Sequence, residues 1–231
     1  METIIYGDSF SNSDACRCTA EQMWFAQVFD DTNNITDRTK SQNNVDTMFL
    51  QATHDCVTHS APTRMVIALG PLQRLGMYTD GWYESERLLA LDGDGRPHDL
   101  ADCQQYFSSF TVDHVNRHTQ NLFHPTYLWA KLYSDILRLD ALCARSGHRL
   151  LVLHMSVTER PYNTGHPLVA PLERAMDRAR YINEEHSCTR VCEQAGIRPW
   201  DYDRYGWIGH HSAEGQAHFG RHIRSILQSW N

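Results

Sequence analysis

A helix, a glycine and a short apolar strand follow one another in the second half of the sequence, and this order constrains the fold most. Residues 127–145 carry apolar side chains at helical spacing. Ser146-Gly147, a good helix stop, comes next and leads into the apolar run 149–154. A helix that leads at once into a short apolar strand is half of a parallel βαβ unit. The pattern therefore predicts an α/β fold with a buried parallel sheet.

Two further apolar runs predict strands of the same sheet. Residues 3–6 stop at Gly7-Asp8-Ser9, and residues 65–69 end at Gly70-Pro71. Helical patterns cover about residues 20–29, 168–195 and 215–230. The length of 231 residues suits one domain. We therefore expect residues 1–231 to form a single three-layer α/β/α sandwich around a short parallel sheet of about five strands.

Charge and hydropathy exclude two kinds of partner. The formal net charge of −7 argues against a broad basic surface, so we expect no nucleic-acid partner. No apolar stretch approaches the length of a bilayer crossing, so we expect no membrane partner. The first residues, METIIYGDSF, have neither a basic leader nor a long apolar segment. We expect a cytoplasmic location, or export by a route that uses no signal peptide.

The cysteines do not form the pattern of a disulfide framework, because their number, seven, is odd and they are scattered. Cys188 and Cys192 share a face of a predicted helix near His186, so a zinc site is one interpretation. Buried thiols in a reducing compartment are the favoured one. The run Asp92-Gly-Asp-Gly95 lacks the later ligands of a calcium loop, and a turn is favoured there. We expect no metal and no cofactor.

Ser9 is a candidate nucleophile because it directly follows a strand of a parallel sheet. The carboxyl ends of such strands open into a crevice, where a hydroxyl is exposed and backbone N–H groups can face an oxyanion. A serine needs an adjacent base to act as a nucleophile. A candidate base lies near the C-terminus, in His210-His-Ser-Ala-Glu-Gly215, just before the last predicted helix. The alternative is that Ser9 only caps the turn.

This pairing of motifs resembles the SGNH (GDSL-type) hydrolase superfamily. That family begins with a strand and Gly-Asp-Ser, and it ends with His-x-Ser-x-x-Gly before the last helix. The resemblance implies a flavodoxin-like sandwich in which Ser9 is the nucleophile and His210 is the general base. His211 is the alternative base if the register is shifted by one residue.

The resemblance also implies an oxyanion hole, with two departures from the family pattern. Residues 35–45 look like the second family block but contain no glycine, and Ser41 or Gln42 stands near its position. In the third block, Leu72 stands where the family has asparagine. Phage-type members show a similar departure, with an arginine after the third strand. The implied oxyanion and substrate-binding residues are Asp8, Ser41, Gln42, Asn44, Gly70, Gln73 and Arg74.

A third departure concerns the acid that supports the histidine. The family acid lies three residues before the histidine, where this chain has Trp207. Asp203 is the expected replacement, with Asp201 or a backbone carbonyl as alternatives. Trp207 and the pair Trp82-Tyr83 are aromatic side chains that can stack on a sugar, although a core or rim position is the simpler interpretation.

Two functions follow from these residues. The first is a cofactor-free serine esterase that removes O-acetyl or similar acyl groups from a saccharide, or from another small ester, through an acyl-serine. The second is a catalytically inactive binding or structural module, for example a virion component, because the family acid and asparagine are missing.

Overall fold

The computed structural model describes residues 1–40, 43–70, 74–77, 87–90, 125–156, 166–198, 200–201 and 210–230. The strands in these ranges are β1 (Glu2–Gly7), β2 (Ile35–Asp37), β3 (Thr63–Leu69), β4 (Arg74–Met77), β5 (Arg87–Ala90), β6 (Arg149–His154), β7 (Trp200–Asp201) and β8 (His210–His211). The α-helices are α1 (Ser13–Cys16), α2 (Trp24–Val28), α3 (Val45–Thr58), α4 (Pro125–Arg145), α5 (Ala170–Ala175), α6 (Cys188–Gln194) and α7 (Ala213–Ser229). Short 3₁₀ helices occupy Ala20–Gln22, Thr32–Asn34, Met176–Arg178 and Glu184–His186.

The central sheet is parallel, with strand order β2-β1-β3-β6. Strand β1 lies in its middle and pairs with β2 on one side and β3 on the other. Strand β6 extends the sheet beyond β3. Two antiparallel ribbons, β4–β5 and β7–β8, stand apart from it. The predicted α/β fold with a parallel sheet is confirmed.

The described sheet has four strands, whereas about five were predicted. The fifth position is reduced to one parallel bridge between Val152 and Tyr181. The Val152 N–H donates to the Arg180 carbonyl at 3.0 Å, and the Ile182 N–H donates to the Val152 carbonyl at 2.9 Å. The 3₁₀ helices Met176–Arg178 and Glu184–His186 lie on either side, so the extended segment between them is too short for a longer strand.

Alternating side chains along the strands divide the core into two apolar layers, one on each face of the sheet. The first layer contains Ile4, Tyr6, Met65, Ile67, Leu150 and Val152 of the sheet, Met48 and Phe49 of α3, and Leu132 and Ile136 of α4. The second contains Ile5, Val66, Ala68, Leu151 and Leu153 of the sheet, Trp24 and Phe25 of α2, Cys188 and Cys192 of α6, and Phe219 and Ile223 of α7. Helices therefore cover both faces, and the predicted three-layer sandwich is confirmed.

A buried carboxylate ties the central strand to the first layer of helices. The Tyr6 hydroxyl of β1 donates to Asp55 Oδ2 of α3 at 2.6 Å. Arg38, which follows β2, brings its Nε to 3.0 Å from the same oxygen. Burial and the neighbouring carboxylate raise the pKa of Tyr6, so the phenol remains a hydrogen-bond donor. This cluster fixes the ends of β1 and β2 relative to α3.

Two of the predicted helices are interrupted. In the segment 20–29, Met23 has extended backbone angles and separates the 3₁₀ helix Ala20–Gln22 from α2. The segment 168–195 contains α5, two 3₁₀ helices and α6, because Tyr181 leaves the helical path to pair with β6. The predicted helices at residues 127–145 and 215–230 are confirmed as α4 and α7.

None of the helices in the described ranges combines the length and the apolar character needed to cross a membrane. The partition of residues 1–231 into one domain stays a prediction.

Candidate active site

The candidate site lies where β1 and β3 end, at the carboxyl edge of the sheet. Gly7, the last residue of β1, is paired with Ala68 of β3. Asp8 follows Gly7 directly, and Gly70 follows Leu69, the last residue of β3. Asp8 and Gly70 pack against each other where the two strands leave the sheet. In open parallel sheets this edge is where ligands bind.

Asp8 shapes the turn that carries the serine. Its carbonyl accepts from the Ser11 N–H at 3.0 Å, which closes a turn over residues 8–11, called here the serine turn. Its Oδ1 accepts from the Phe10 N–H, also at 3.0 Å. The carboxylate is fully buried and packs on Gly70, where an added Cβ would lie 1.8 Å from Asp8 Oδ2. Only a glycine at position 70 leaves room for this carboxylate.

Ser9 lies inside this turn and is 5% exposed. The Cys16 thiol of α1 lies beneath it and donates to the Ser9 carbonyl at 3.3 Å. Helix α1 is itself anchored, because Asn12 caps its N-terminus by accepting from the Ala15 N–H at 3.0 Å. The backbone of Ser9 is thus held by the hydrogen bonds of Asp8 within the turn and by the Cys16 thiol on its carbonyl.

The histidine motif, residues 210–215, is called here the histidine loop, and its pattern has a structural explanation. Ser212 is the N-cap of α7, and its hydroxyl accepts from the Gly215 N–H at 3.1 Å. The Gly215 carbonyl accepts from the thiols of Cys188 and Cys192, at 3.8 Å and 3.6 Å. The serine and glycine of the motif therefore fix how β8 runs into α7.

The fold brings the serine turn and the histidine loop to the same corner of the molecule. The Phe10 ring lies 5.8 Å from the His210 ring and 5.3 Å from the His211 ring, between centroids. His210 is half-buried, whereas His211 is fully buried. Because Phe10 follows Ser9 directly, His210 lies next to the residue that adjoins the serine.

Burial distinguishes the two histidines chemically. His211 Nε2 lies 3.3 Å from the Thr189 hydroxyl. Desolvation, together with the neighbouring His210, lowers the pKa of His211 to about 3. His211 is therefore neutral and only weakly basic at physiological pH.

No protein-family model matches this sequence, and no curated protein is significantly similar to it. Solved structures do match. A member of the lipolytic protein G-D-S-L family from Veillonella parvula DSM 2008 superposes with a TM-score of 0.50 at 11% identity, covering 99% of this chain and 98% of that chain. TesA superposes with a TM-score of 0.51 at 13% identity over the whole of both chains. This chain has the GDSL-hydrolase fold.

A third structure agrees with the first two. The psychrotrophic esterase EstA from Pseudoalteromonas sp. gives a TM-score of 0.50 at 10% identity, covering 100% of this chain and 98% of that chain. Because the superpositions cover nearly all of each chain, the order of the described elements agrees with the GDSL fold. The fold expected from the serine and histidine motifs is therefore confirmed.

Several of the predicted site residues of this GDSL fold lie outside the described residues. They are Ser41, Gln42, Leu72, Gln73, Trp82, Tyr83, Asp203 and Trp207. The Asp92-Gly-Asp-Gly95 run lies outside them as well. Arg74 is the first residue of β4, and only its backbone is described.

Asn44 has a structural position in this fold. It is buried at the N-cap of α3, where its Oδ1 accepts from the Thr47 N–H and its Nδ2 donates to the Thr47 hydroxyl, both at 3.0 Å. Its hydrogen bonds serve the helix start. Its neighbour Asn43, which the sequence motifs did not indicate, is fully buried and donates to the Gly7 carbonyl at 3.3 Å.

The residues of the zinc interpretation have other partners. Cys188 and Cys192 do share a face of α6, and their thiols donate to Gly215. His186 Nδ1 lies 3.1 Å from His222 Nε2 of α7. Within the described ranges, no three His, Cys, Asp or Glu side chains are grouped so that they could hold a metal ion.

The packing of Asp8 on Gly70 predicts strong coupling between the two positions. We expect Gly70→Ala to lower the free energy of unfolding by about 2–3 kcal/mol, because the new methyl group overlaps the carboxylate. In an Asp8→Ala background the methyl group at position 70 meets no carboxylate, so the same change should lower the free energy of unfolding much less. Urea unfolding of the four proteins in a double-mutant cycle measures the difference. Equal costs in both backgrounds would show that the overlap is relieved elsewhere.

The buried imidazole of His211 predicts a pH dependence of stability. Its pKa is about 3 in the folded chain against an ordinary 6.5, so between these values only the unfolded chain binds the proton. The neutral His211 therefore adds to the free energy of unfolding in full above about pH 6.5. This stabilisation is lost as the pH falls towards 3, by up to about 1.4 kcal/mol per pH unit. We expect His211→Asn to flatten this slope in urea unfolding between pH 7 and 4. The exposed His166 provides the control, since His166→Gln should leave the slope unchanged.

Proposed function

We propose that this protein is a serine ester hydrolase in which Ser9 is the nucleophile and His210 is the general base. One observation carries the proposal: the Phe10 ring, next to Ser9, lies 5.8 Å from the His210 ring at the carboxyl edge of the sheet. Two motifs from opposite ends of the sequence thus meet where this fold has its crevice. The structural neighbours support the same chemistry, because they include an esterase and a lipolytic GDSL protein.

The proposed reaction has two steps. Ser9 Oγ attacks the ester carbonyl and gives its proton to His210, which passes it to the alcohol oxygen as the C–O bond breaks. This leaves an acyl-serine and a free alcohol. Water then attacks the acyl-serine with His210 as base, which releases the carboxylic acid and restores the Ser9 hydroxyl. These two steps need no metal or organic cofactor.

His210 rather than His211 is the proposed base. An efficient base has a pKa near the working pH. The pKa of His211 is lowered to about 3, and its ring is fully buried. His210 is half-buried and is the first residue of β8. The burial and the lowered pKa of His211 therefore argue against His211 as the base and favour His210.

The proposed oxyanion hole begins with the N–H of Ser9. Asp8 fixes the shape of that turn, and Gly70 lets the turn lie directly against the end of β3. A second donor comes from Ser41 or Gln42, and a third from Gln73 or Arg74, following the family positions. Asn44 is left out of the hole because its side chain caps α3.

The proposed support for His210 is a carboxylate of the segment before it. Asp201 pairs with His210 across the β7–β8 ribbon, and Asp203 follows two residues later. Asp203 remains the proposed acid and Asp201 the alternative. A carboxylate here would orient the imidazole and stabilise its protonated form.

The proposed substrate is an O-acetylated saccharide. Support comes from sequence alone, since Trp82, Tyr83 and Trp207 supply aromatic faces of the kind that stack on sugar rings. Small carboxylic esters are the wider class of substrate to which an O-acetylated saccharide belongs.

A fluorophosphonate probe tests the nucleophile. We expect intact mass to show one adduct, located on Ser9, with no adduct in Ser9→Ala or His210→Ala. Hydrolysis of p-nitrophenyl acetate and release of acetate from an acetylated saccharide should fall at least about 10³-fold in both variants. His218→Ala, which removes another half-buried histidine, is the matched control and should react like wild type. A folded wild-type protein without an adduct would favour the inactive binding module instead.

Neutralising the supporting acid tests its identity. We expect Asp203→Asn to slow hydrolysis by up to about 10⁴-fold, because the imidazole loses its orienting charge. Asp201→Asn is the paired variant, and its rate should stay close to wild type. A slow Asp201→Asn with a normal Asp203→Asn would exchange the two assignments. Normal rates in both variants would leave a backbone carbonyl as the support.

A further inference from the structure

The serine turn and the histidine loop are far apart in sequence, and the buried side chain of Gln216 links the elements that carry them. We infer that Gln216, the first residue after the histidine loop, is a positioning residue that holds Ser9 in register with His210. This inference rests on the proposed function and deepens it. Gln216 touches neither reacting group and acts through the Phe10 backbone.

The amide of Gln216 is fully buried and bonded at both ends. Its Nε2 donates to the Phe10 carbonyl at 2.8 Å, and its Oε1 accepts from the Trp24 N–H at 3.3 Å. One partner is an acceptor and the other is a donor, so only one orientation of the amide satisfies both. The side chain therefore has a fixed direction as well as a fixed place.

The second N–H of the amide reaches the thiol beneath the serine. Gln216 Nε2 lies 3.4 Å from Cys16 Sγ, and that thiol donates to the Ser9 carbonyl at 3.3 Å. Burial raises the pKa of Cys16 to about 12, so the sulfur keeps the proton that it donates. The Gln216 amide thus contacts the carbonyl of Phe10 directly and that of Ser9 through one sulfur atom.

Gln216 is also connected directly to the histidine loop. Gln216 follows Gly215, whose N–H is bonded to the Ser212 cap and whose carbonyl receives two thiols. The ring of Phe10, whose carbonyl Gln216 holds, lies against His210. A movement of this amide would therefore change the distance between Ser9 and His210 without removing either residue. Misplacement by about 1 Å is enough to cost about 10²-fold in rate.

The rate constant for labelling of Ser9 by the fluorophosphonate probe tests this role. We expect Gln216→Met, which keeps the volume and removes the amide, to label about 10- to 100-fold more slowly at a temperature well below its unfolding transition. With p-nitrophenyl acetate the loss should fall on kcat, with KM changed by less than about threefold. The matched control is Gln51→Met, the same change at another buried helical glutamine, which lies on α3. That variant should label at the wild-type rate.

Gln216→Asn covers the case in which Gln216→Met does not fold. It keeps an amide but shortens the side chain, so the bond to the Phe10 carbonyl is lost and labelling should again be slow. A folded Gln216→Met or Gln216→Asn that labels at the wild-type rate would overturn the inference and leave the proposed function intact. A wild-type protein that is not labelled would overturn the proposed function, and this inference with it.

Discussion

The rest of the site depends on one close contact, the packing of the Asp8 carboxylate on Gly70. A buried carboxylate is costly unless it is hydrogen-bonded, and here the Phe10 N–H meets one of its oxygens. The same residue closes the serine turn through its carbonyl. The carboxylate fills the space that a side chain at position 70 would need. The end of β3 can therefore lie this close to the end of β1 only if residue 70 is glycine. The position of Ser9 is thus a consequence of how two neighbouring strands end.

The parts of the fold that could be predicted are those with a simple apolar pattern. Strands β1, β3 and β6 are covered on both faces, so they appear in the sequence as continuous apolar runs. Helix α3 has no such signal, because its buried face includes Thr47, Gln51 and Asp55 beside apolar residues. The segment 168–195 has helical spacing throughout, yet pairing of Tyr181 with Val152 interrupts it. That long-range contact overrides the local preference and is invisible in spacing alone.

The site divides in the same way. Ser9 and His210 could be proposed from the sequence because their motifs are local and each precedes a helix. The motif spacing favours His210 over His211, and only the structure adds that His211 is the fully buried ring. Gln216 gave no signal, because a glutamine in an amphipathic helix is typical of a solvent-facing position. Its partner Phe10 is remote in the chain, and only the folded structure brings the two together.

The cysteines gain an explanation that their spacing did not suggest. Cys16 supports the Ser9 carbonyl, while Cys188 and Cys192 both donate to the carbonyl of Gly215. A thiol is a weak donor that packs like a small apolar residue, so it can meet a carbonyl inside an apolar layer with little desolvation cost. Each half of the proposed site therefore rests on backbone carbonyls held from the core side by sulfur. An alanine in these places would fill part of the space but leave the carbonyls unmet, whereas a serine would have to bury a more strongly hydrated hydroxyl.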